Sequence, residues 1–254
     1  MPRFSANLGM LWTEVPLPDG IRAAHAAGFD AVECQFPFDC DPETVRAALE
    51  DTGLTMLGLN TYPGDRSKGD FGLAAVPGRE DEARAAIDQA IGYARAIGCP
   101  SIHVMSGIAS GSQAGETLRA NLAYALDQDP GILFLIEALN PFDAPGYFLG
   151  ETEAVRAVVE DIDHPNLRLM FDCYHVARTE GDVAGRLNAL YPLIGHIQFA
   201  GVPDRREPDS GQVNYRPIFE QIDAMGWTRP LGAEYRPSGP TGQSLGWMTD
   251  LRRP

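Results

Sequence analysis

Residues 132–137 read ILFLIE, an apolar run of strand length that ends in a carboxylate, and three later segments repeat this pattern. These segments are residues 167–172 (LRLMFD), 194–198 (IGHIQ) and 231–234 (LGAE). Each ends in a polar residue, in turn Glu137, Asp172, Gln198 and Glu234. The four polar residues follow one another at intervals of 35, 26 and 36 residues. An eight-fold β/α barrel of ~250 residues has about 31 residues per strand–helix unit, so the spacing predicts consecutive barrel strands.

Polar residues at strand ends matter in such a barrel because its parallel strands end at one face, where barrel enzymes carry their active sites. Three carboxylates and one carboxamide that converge there offer hard oxygen ligands, which suit Mg²⁺ or Mn²⁺ better than Zn²⁺. Glu137 and Glu234 fall on strands that are not neighbours, so one could accept a proton from a bound substrate while the other donates one. This arrangement favours proton abstraction beside a carbonyl, and hence isomerisation or epimerisation of a sugar-like substrate.

The rest of the chain alternates in the same way. Earlier strands are predicted at residues 4–7, 31–34, 54–59 and 101–105, and helices at residues 19–27, from 41 onward, 80–97, 116–128, 152–161, 182–191 and 215–225. Regular alternation predicts parallel strands joined by right-handed crossovers. No glycine-rich G-x-G-x-x-G motif follows the first strand, which argues against a dinucleotide-binding fold. We therefore predict an α/β protein with a single (β/α)8 TIM barrel, one domain over residues 1–254.

The composition limits the kinds of molecule that the protein is expected to bind. The formal net charge of −15 argues against nucleic acid, because a phosphate-binding surface needs clustered Lys and Arg. No apolar run approaches the ~20 residues of a membrane span, and no signal peptide is recognisable, so we expect a cytoplasmic protein that binds no membrane. The four cysteines are too few for a disulfide scaffold and are expected to be reduced.

His196 also falls on a predicted strand of the site. Alternation places its side chain on the same inward face as Gln198, one layer deeper. There it could orient a metal ligand or donate to a substrate oxygen, and an ordinary core histidine is the alternative. We predict it as a substrate-binding residue.

Several short motifs resemble those of hydroxypyruvate isomerases, which belong to the xylose-isomerase-like barrel superfamily. The resemblance runs from residue 3 to about residue 250, with its motifs in the expected order. They lie at residues 3–11 (RFSANLGML), 76–80 (VPGRE), 135–140 (LIEALN), 171–175 (FDCYH), 195–198 (GHIQ) and 207–208 (EP). The related ketose 3-epimerases typically have His-x-His where this chain has His-Ile-Gln at residues 196–198, so Gln198 favours the hydroxypyruvate isomerase branch.

The resemblance implies roles for the strand-end residues. Glu137 and Glu234 would be the acid/base pair, and all four strand-end residues would bind a divalent cation, Mg²⁺ or Mn²⁺. The implied reaction converts hydroxypyruvate to 2-hydroxy-3-oxopropanoate (tartronate semialdehyde) by metal-assisted proton transfer through an enediolate. His175 matches a substrate-contacting histidine, and Arg205 matches an arginine that could hold a carboxylate through paired hydrogen bonds.

Other functions stay open from the sequence. The nearest is isomerisation of a longer acid such as 2-oxo-tetronate, followed by ketose 3-epimerisation. A nuclease of the endonuclease IV kind would need several histidines to hold a multi-zinc cluster, and five histidines in the whole chain with a net charge of −15 fit this poorly. A sugar-acid binding protein without catalysis would not require the two glutamates. By resemblance we also expect a homo-oligomer.

Overall fold

The structure, a computed structural model, describes residues 2–252. Within them eight parallel strands form one sheet in the order β2-β1-β8-β7-β6-β5-β4-β3. The strands are β1 (Phe4–Asn7), β2 (Ala31–Glu33), β3 (Leu59–Asn60), β4 (Ser101–His103), β5 (Leu133–Glu137), β6 (Leu167–Asp172), β7 (Ile194–Phe199) and β8 (Leu231–Ala233). The sheet is nearly closed between β2 and the segment before β3, where Val32 donates to the Thr55 carbonyl (3.0 Å) and accepts from the Leu57 amide (2.7 Å). The predicted (β/α)8 barrel is confirmed.

Helices connect the strands on the outside of the barrel. They are α1 (Leu17–Ala26), α2 (Pro42–Thr52), α3 (Glu80–Ile97), α4 (Ser112–Gln128), α5 (Thr152–Ile162), α6 (Cys173–Thr179), α7 (Val183–Leu190), α8 (Tyr215–Ala224) and α9 (Gly246–Arg252). Asp41 is the N-cap of α2 with Pro42 at its first position, and Gly98 ends α3 in the left-handed conformation (φ 71°). Over residues 2–252 no helix is both long and apolar enough to cross a membrane.

Two helices lie outside the sequence prediction, and one of them positions the site. Helix α6 begins directly after β6, with Asp172 as its N-cap accepting from the Tyr174 amide (2.8 Å). Because the strand runs straight into this helix, His175 comes one turn from Asp172 and returns towards the barrel mouth. Helix α9 packs Trp247 against Phe4 (5.0 Å between ring centroids) and closes the chain against β1. Its apolar residues are few, and the sequence pattern did not show it.

Most predicted boundaries lie within two residues of the observed ones, and two elements differ by four or more residues. Helix α4 begins at Ser112, four residues before the predicted start, because Gly111 takes a positive φ (84°) and sets the chain into the helix. Strand β3 is confined to Leu59–Asn60, and the predicted start at Leu54 lies in a loop that reaches β2 through a single bridge at Met56. Neither difference moves a predicted site residue.

Candidate active site

The four polar residues at strand ends meet at one mouth of the barrel. Glu137 ends β5, Asp172 ends β6, Gln198 lies in β7 and Glu234 directly follows β8, and all four are buried. In the register of the sheet Asp172 pairs with Gln198, while Glu137 pairs with Met170, two residues before Asp172. Glu234 lies two residues after Gly232, the partner of Gln198 on β8. Polar atoms of Glu137, Asp172 and His175 lie within 4.8 Å of one another. Consecutive parallel strands therefore gather three buried carboxylates around a shared space.

Arg205 joins two of these carboxylates. Its Nη2 donates to Glu234 Oε2 (3.0 Å) and to Asp172 Oδ2 (3.2 Å), and its guanidinium lies over the Tyr174 ring (5.1 Å to the centroid). The residue stands in the loop after β7 with a positive φ of 54°. Its neighbour Arg206 points to the surface and donates to the Pro237 carbonyl. The structure thus brings Arg205 into the cluster.

His175 is held in one tautomer. Its Nδ1 accepts from the backbone amide of Asn140 (3.0 Å), so a neutral ring carries its proton on Nε2. Burial, together with the positive charge of Arg205, lowers the pKa of His175 well below its usual value and keeps the ring neutral. Its Nε2 lies 3.6 Å from Asp172 Oδ2 and makes no hydrogen bond within residues 2–252. His175 is thereby prepared to donate to a substrate oxygen, which its tautomer favours over metal binding.

The two glutamates have different surroundings. Glu234 Oε1 accepts from Gln35 Nε2 (2.5 Å) while Oε2 accepts from Arg205. Burial raises the pKa of Glu234 to about 7, although Arg205 opposes that rise. Glu137 has no hydrogen-bonded partner for Oε1 within the described residues, and burial followed by the charges of Glu234 and Asp172 raises its pKa well above the usual value. Carboxyl groups with unlike surroundings are what a proton-accepting and proton-donating pair requires.

Three polar residues of the site were not predicted. His103 ends β4, and its Nδ1 lies 3.6 Å from Glu137 Oε2; burial lowers the pKa of His103 to about 3, so the ring is neutral. Glu33 ends β2 and lies deeper in the barrel, and Gln35 follows two residues later. His103 and Glu33 carry the same strand-end signal as the predicted four, but on strands of only three residues.

Glu33 is the centre of a buried polar group. Its Oε1 accepts from Gln198 Nε2 (2.7 Å) and Asn7 Nδ2 (3.1 Å), and its Oε2 lies 2.8 Å from His196 Nε2. Burial alone would raise the pKa of Glu33, but the combined effect of these three partners lowers it below the usual value. His196 therefore lies one layer below Gln198, as predicted, with its Nε2 directed at Glu33. Its role in substrate binding stays a prediction.

A cavity of about 1130 Å³ opens over the site. Site residues that line it include His103, Glu137, His175, Arg205 and Glu234. Its outer wall adds aromatic and basic side chains, among them Trp12, Phe36, Phe71, Arg66 and Arg236. A small polar molecule that entered would meet carboxylates, a guanidinium and a neutral imidazole at the bottom.

The residues at the bottom fit a divalent cation. Within the described chain, Glu137 Oε1 and Gln198 Oε1 are buried and have no hydrogen-bond partner, although a buried oxygen normally has one. Carboxylate and carboxamide oxygens are hard ligands, and three carboxylates close together favour a positive charge between them. Of the predicted ligands, Glu137 and Asp172 belong to the cluster within 4.8 Å, and binding of a cation by Glu137, Asp172, Gln198 and Glu234 together stays a prediction.

Comparison with known proteins places this geometry in a family. The family model described as xylose isomerase-like TIM barrel matches residues 21–251. The chain belongs to this family. A 2-oxo-tetronate isomerase of Cupriavidus necator is 44% identical over 98% of both chains, and a hydroxypyruvate isomerase of Escherichia coli is 37% identical over 99% of this chain and 100% of its own. The resemblance inferred from the motifs is confirmed.

Solved structures agree with the fold. A crystal structure from Brucella melitensis, described as an AP endonuclease of family 2, superposes with a TM-score of 0.94 at 39% identity over the full length of both chains. A D-psicose 3-epimerase from Clostridium cellulolyticum superposes with a TM-score of 0.73 at 17% identity, over 100% of this chain and 90% of its own. At that identity the likeness shows the barrel alone.

Proposed function

We propose that this protein is an isomerase of small hydroxy-2-oxo acids that depends on a divalent cation, with hydroxypyruvate as the leading substrate and 2-hydroxy-3-oxopropanoate as the product. One observation carries the proposal: two buried glutamates, Glu137 and Glu234, line a single cavity with Arg205, whose side chain is 13% exposed. The names of the relatives from C. necator and E. coli support the reaction class.

Arg205 and His175 would hold the substrate. A guanidinium pairs with a carboxylate through parallel hydrogen bonds, which is the recognition that a 2-oxo acid requires. Arg205 makes ion pairs with Asp172 and Glu234 and stacks on Tyr174, so it is already ordered before a substrate enters. The Nε2 proton of His175 is free to donate to a substrate oxygen. Together they would fix the carbon atoms between the two glutamates.

The glutamates would move the proton. The C–H bond at C3 of hydroxypyruvate breaks as one carboxylate takes the proton, giving an enediolate, and a C–H bond forms at C2 when the other carboxyl delivers one. The C3 hydroxyl loses its proton and the C2 oxygen gains one. Strands β5 and β8 are separated in the sheet by β6 and β7, so Glu137 and Glu234 approach the substrate from different sides. Such proton transfers contribute about 10²- to 10⁴-fold to a rate.

Glu137, Asp172, Gln198 and Glu234 would hold the cation, which when bound supplies Lewis acidity that stabilises negative charge on the substrate oxygens. We propose Mg²⁺ or Mn²⁺, because the ligand atoms are all oxygens.

A 2-oxo-tetronate is the second candidate substrate. The relative from C. necator with that activity in its name is 44% identical to this chain, against 37% for the E. coli hydroxypyruvate isomerase. The cavity of about 1130 Å³ also has room for a fourth carbon. A nuclease is disfavoured despite the name of the B. melitensis structure, because the net charge of −15 repels a phosphate backbone.

A substrate panel tests the proposal. Purified protein is freed of metal with EDTA, dialysed, and assayed with hydroxypyruvate, 2-oxo-tetronates and free ketoses in Mg²⁺, Mn²⁺ or no metal. We expect metal-dependent turnover of a 2-oxo acid, lost in Glu137→Gln and kept in Glu180→Gln, a hydrogen-bonded carboxylate that pairs with Arg186 away from the site. Activity on free ketoses alone, or full activity without metal, would overturn the proposal. A homo-oligomer and a cytoplasmic location stay predictions, which gel filtration and cell fractionation would test.

A further inference from the structure

We propose that Glu33 is a positioning residue: it fixes the carboxamide of Gln198 so that the amide oxygen, and not the amide nitrogen, faces the carboxylate cluster. The inference rests on the proposed metal site, because it assigns how one of its ligands is oriented. It adds a residue that neither the strand-end pattern nor the acid/base chemistry requires.

The orientation follows from what each group can do. A carboxamide has an oxygen that accepts hydrogen bonds and a nitrogen that donates them, and an ionised carboxylate only accepts. Gln198 Nε2 donates to Glu33 Oε1 at 2.7 Å, while Gln198 Oε1 is buried without a partner in the described chain. Turning the amide over would press its oxygen against a carboxylate oxygen and leave the nitrogen facing the acidic cluster. The charge of Glu33 therefore selects one end of the amide.

Glu33 itself is held from two further directions. Asn7 Nδ2 lies 3.1 Å from Oε1 and His196 Nε2 lies 2.8 Å from Oε2, so both oxygens have partners. All four residues are buried, and water does not compete for these bonds. His196 thus gains a role as a support of Glu33, which the sequence left open between several alternatives.

A glycine in β8 leaves the space through which Glu33 contacts Gln198. Glu33 on β2 and Gln198 on β7 are separated in the sheet by β1 and β8. Gly232 on β8 lies between them, and a Cβ there would stand 2.6 Å and 2.7 Å from the Glu33 oxygens and 2.8 Å from Gln198 Cγ. Because the glycine has no side chain, the carboxylate can cross β8 and reach the amide.

The same geometry explains why a neutral ligand stands at position 198. A glutamate there would put a second carboxylate 2.7 Å from Glu33, where two negative charges repel each other in a buried site. A pair made of one carboxylate and one carboxamide avoids this. Exchanging the two groups, with Gln at 33 and Glu at 198, should restore a donor facing an acceptor.

Mn²⁺ binding to the metal-free protein tests the inference without any turnover. Electron paramagnetic resonance of free Mn²⁺ is titrated against wild type, Glu33→Gln, Gln198→Glu and the double variant, with Glu180→Gln as the matched control. Residues that orient metal ligands typically change metal affinity by about 10- to 100-fold. We expect Gln198→Glu to bind Mn²⁺ at least about tenfold more weakly than wild type in spite of its added charge, and the double variant to regain most of that loss. Thermal unfolding in EDTA checks that each variant is folded.

The possible results distinguish failure of the role proposed for Glu33 from failure of the proposed metal site. Wild-type affinity in Gln198→Glu, or a double variant that binds no better than Gln198→Glu, would overturn the role of Glu33. If wild type binds no Mn²⁺, or Glu137→Gln binds as wild type does, the metal site itself is wrong and the inference falls with it. Should variants at Glu33 not fold, Gly232→Ala replaces them, since its Cβ displaces the pair without changing a charge. We expect it to weaken Mn²⁺ binding as well, and unchanged affinity in a folded Gly232→Ala would refute the contact.

Discussion

Gly9→Ala should damage catalysis while leaving the fold intact. Gly9 lies in the exposed turn after β1, and a Cβ placed on it would stand 1.3 Å from Gln35 Oε1 and 2.5 Å from Gln35 Cδ. Gln35 therefore has to leave its position, and with it goes the hydrogen bond from its Nε2 to Glu234 Oε1 (2.5 Å). Alanine at position 9 removes the support of one of the two proposed proton-transfer groups.

The size of the effect follows from the bond that is lost. A hydrogen bond to a charged group contributes ~1.5–3 kcal/mol net. If the whole of that energy acts in the transition state, kcat/KM falls by roughly 10- to 150-fold, at 1.36 kcal/mol for each factor of ten. The stability should change little, because Gly9 is exposed and the displaced atoms are the end of a flexible, half-buried side chain. A change within ~0.5 kcal/mol is typical of such surface positions.

Steady-state kinetics on three variants make the assay decisive. Gly9→Ala, Gln35→Ala and their combination are compared with Gly92→Ala, a control on α3 whose added Cβ meets nothing within 4 Å. Since both changes remove the same hydrogen bond, we expect each single variant and the double variant to lose kcat/KM to a similar extent. A Gly9→Ala enzyme with wild-type kinetics would refute the reasoning, and so would losses that add in the double variant. Thermal unfolding of each protein separates a damaged site from a damaged fold.

Three further predictions concern other parts of the chain. Glu137→Gln should reduce turnover by at least about 10²-fold. Without metal, the variant should also become more stable relative to wild type as pH rises above ~4.3, because the raised pKa of buried Glu137 makes folding of the wild type less favourable above the unfolded-state pKa. Calorimetry in EDTA at pH 5 and pH 8 that showed no such trend would contradict this. Arg205→Lys should raise the KM for a 2-oxo acid by about tenfold, since an ammonium cannot form paired bonds to a carboxylate; initial rates over a substrate series test it, with Arg206→Lys as control. Asp70→Asn should lower the free energy of unfolding at pH 7 by ~0.5–1 kcal/mol, because Arg79 lowers the pKa of folded Asp70. The difference between variant and wild type should vanish as the pH falls through that lowered pKa. Urea unfolding of both proteins at pH 7 and pH 3 measures it.

The barrel and the four strand-end residues could be predicted because both depend on a regular repeat. Parallel strands end at the same face of a barrel, so residues such as Glu137 and Asp172 meet whatever the loops do. The prediction of strand ends was less accurate where strands were short. The strands that carry Glu33 and His103 were predicted to run to residues 34 and 105, but they end at Glu33 and His103 themselves. Neither residue therefore stood at a predicted strand end, and both were missed.

Loop residues depend on conformations that no sequence pattern encodes. Gln35 reaches Glu234 because the turn after β1 leaves a space beside it, and this contact joins segments 199 residues apart. Composition and spacing alone do not separate Arg205 from Arg206; the family resemblance selected Arg205, and the structure brings it into the cluster with a positive φ. The tautomer of His175 likewise depends on a single backbone amide, that of Asn140.

Two glycines without any functional group of their own determine which side chains the site can accommodate. Gly9 leaves the space that Gln35 fills, and Gly232 leaves the space that Glu33 crosses. A mutation at Gly9 is harmful only while position 35 keeps a long side chain, and a mutation at Gly232 only while positions 33 and 198 keep theirs, which is epistasis with a steric cause. We expect substitutions at positions 9 and 35, and at positions 232 and 33, to occur together among relatives. We therefore expect a change of Gln198 to glutamate to be tolerated only after the charge at Glu33 has been lost.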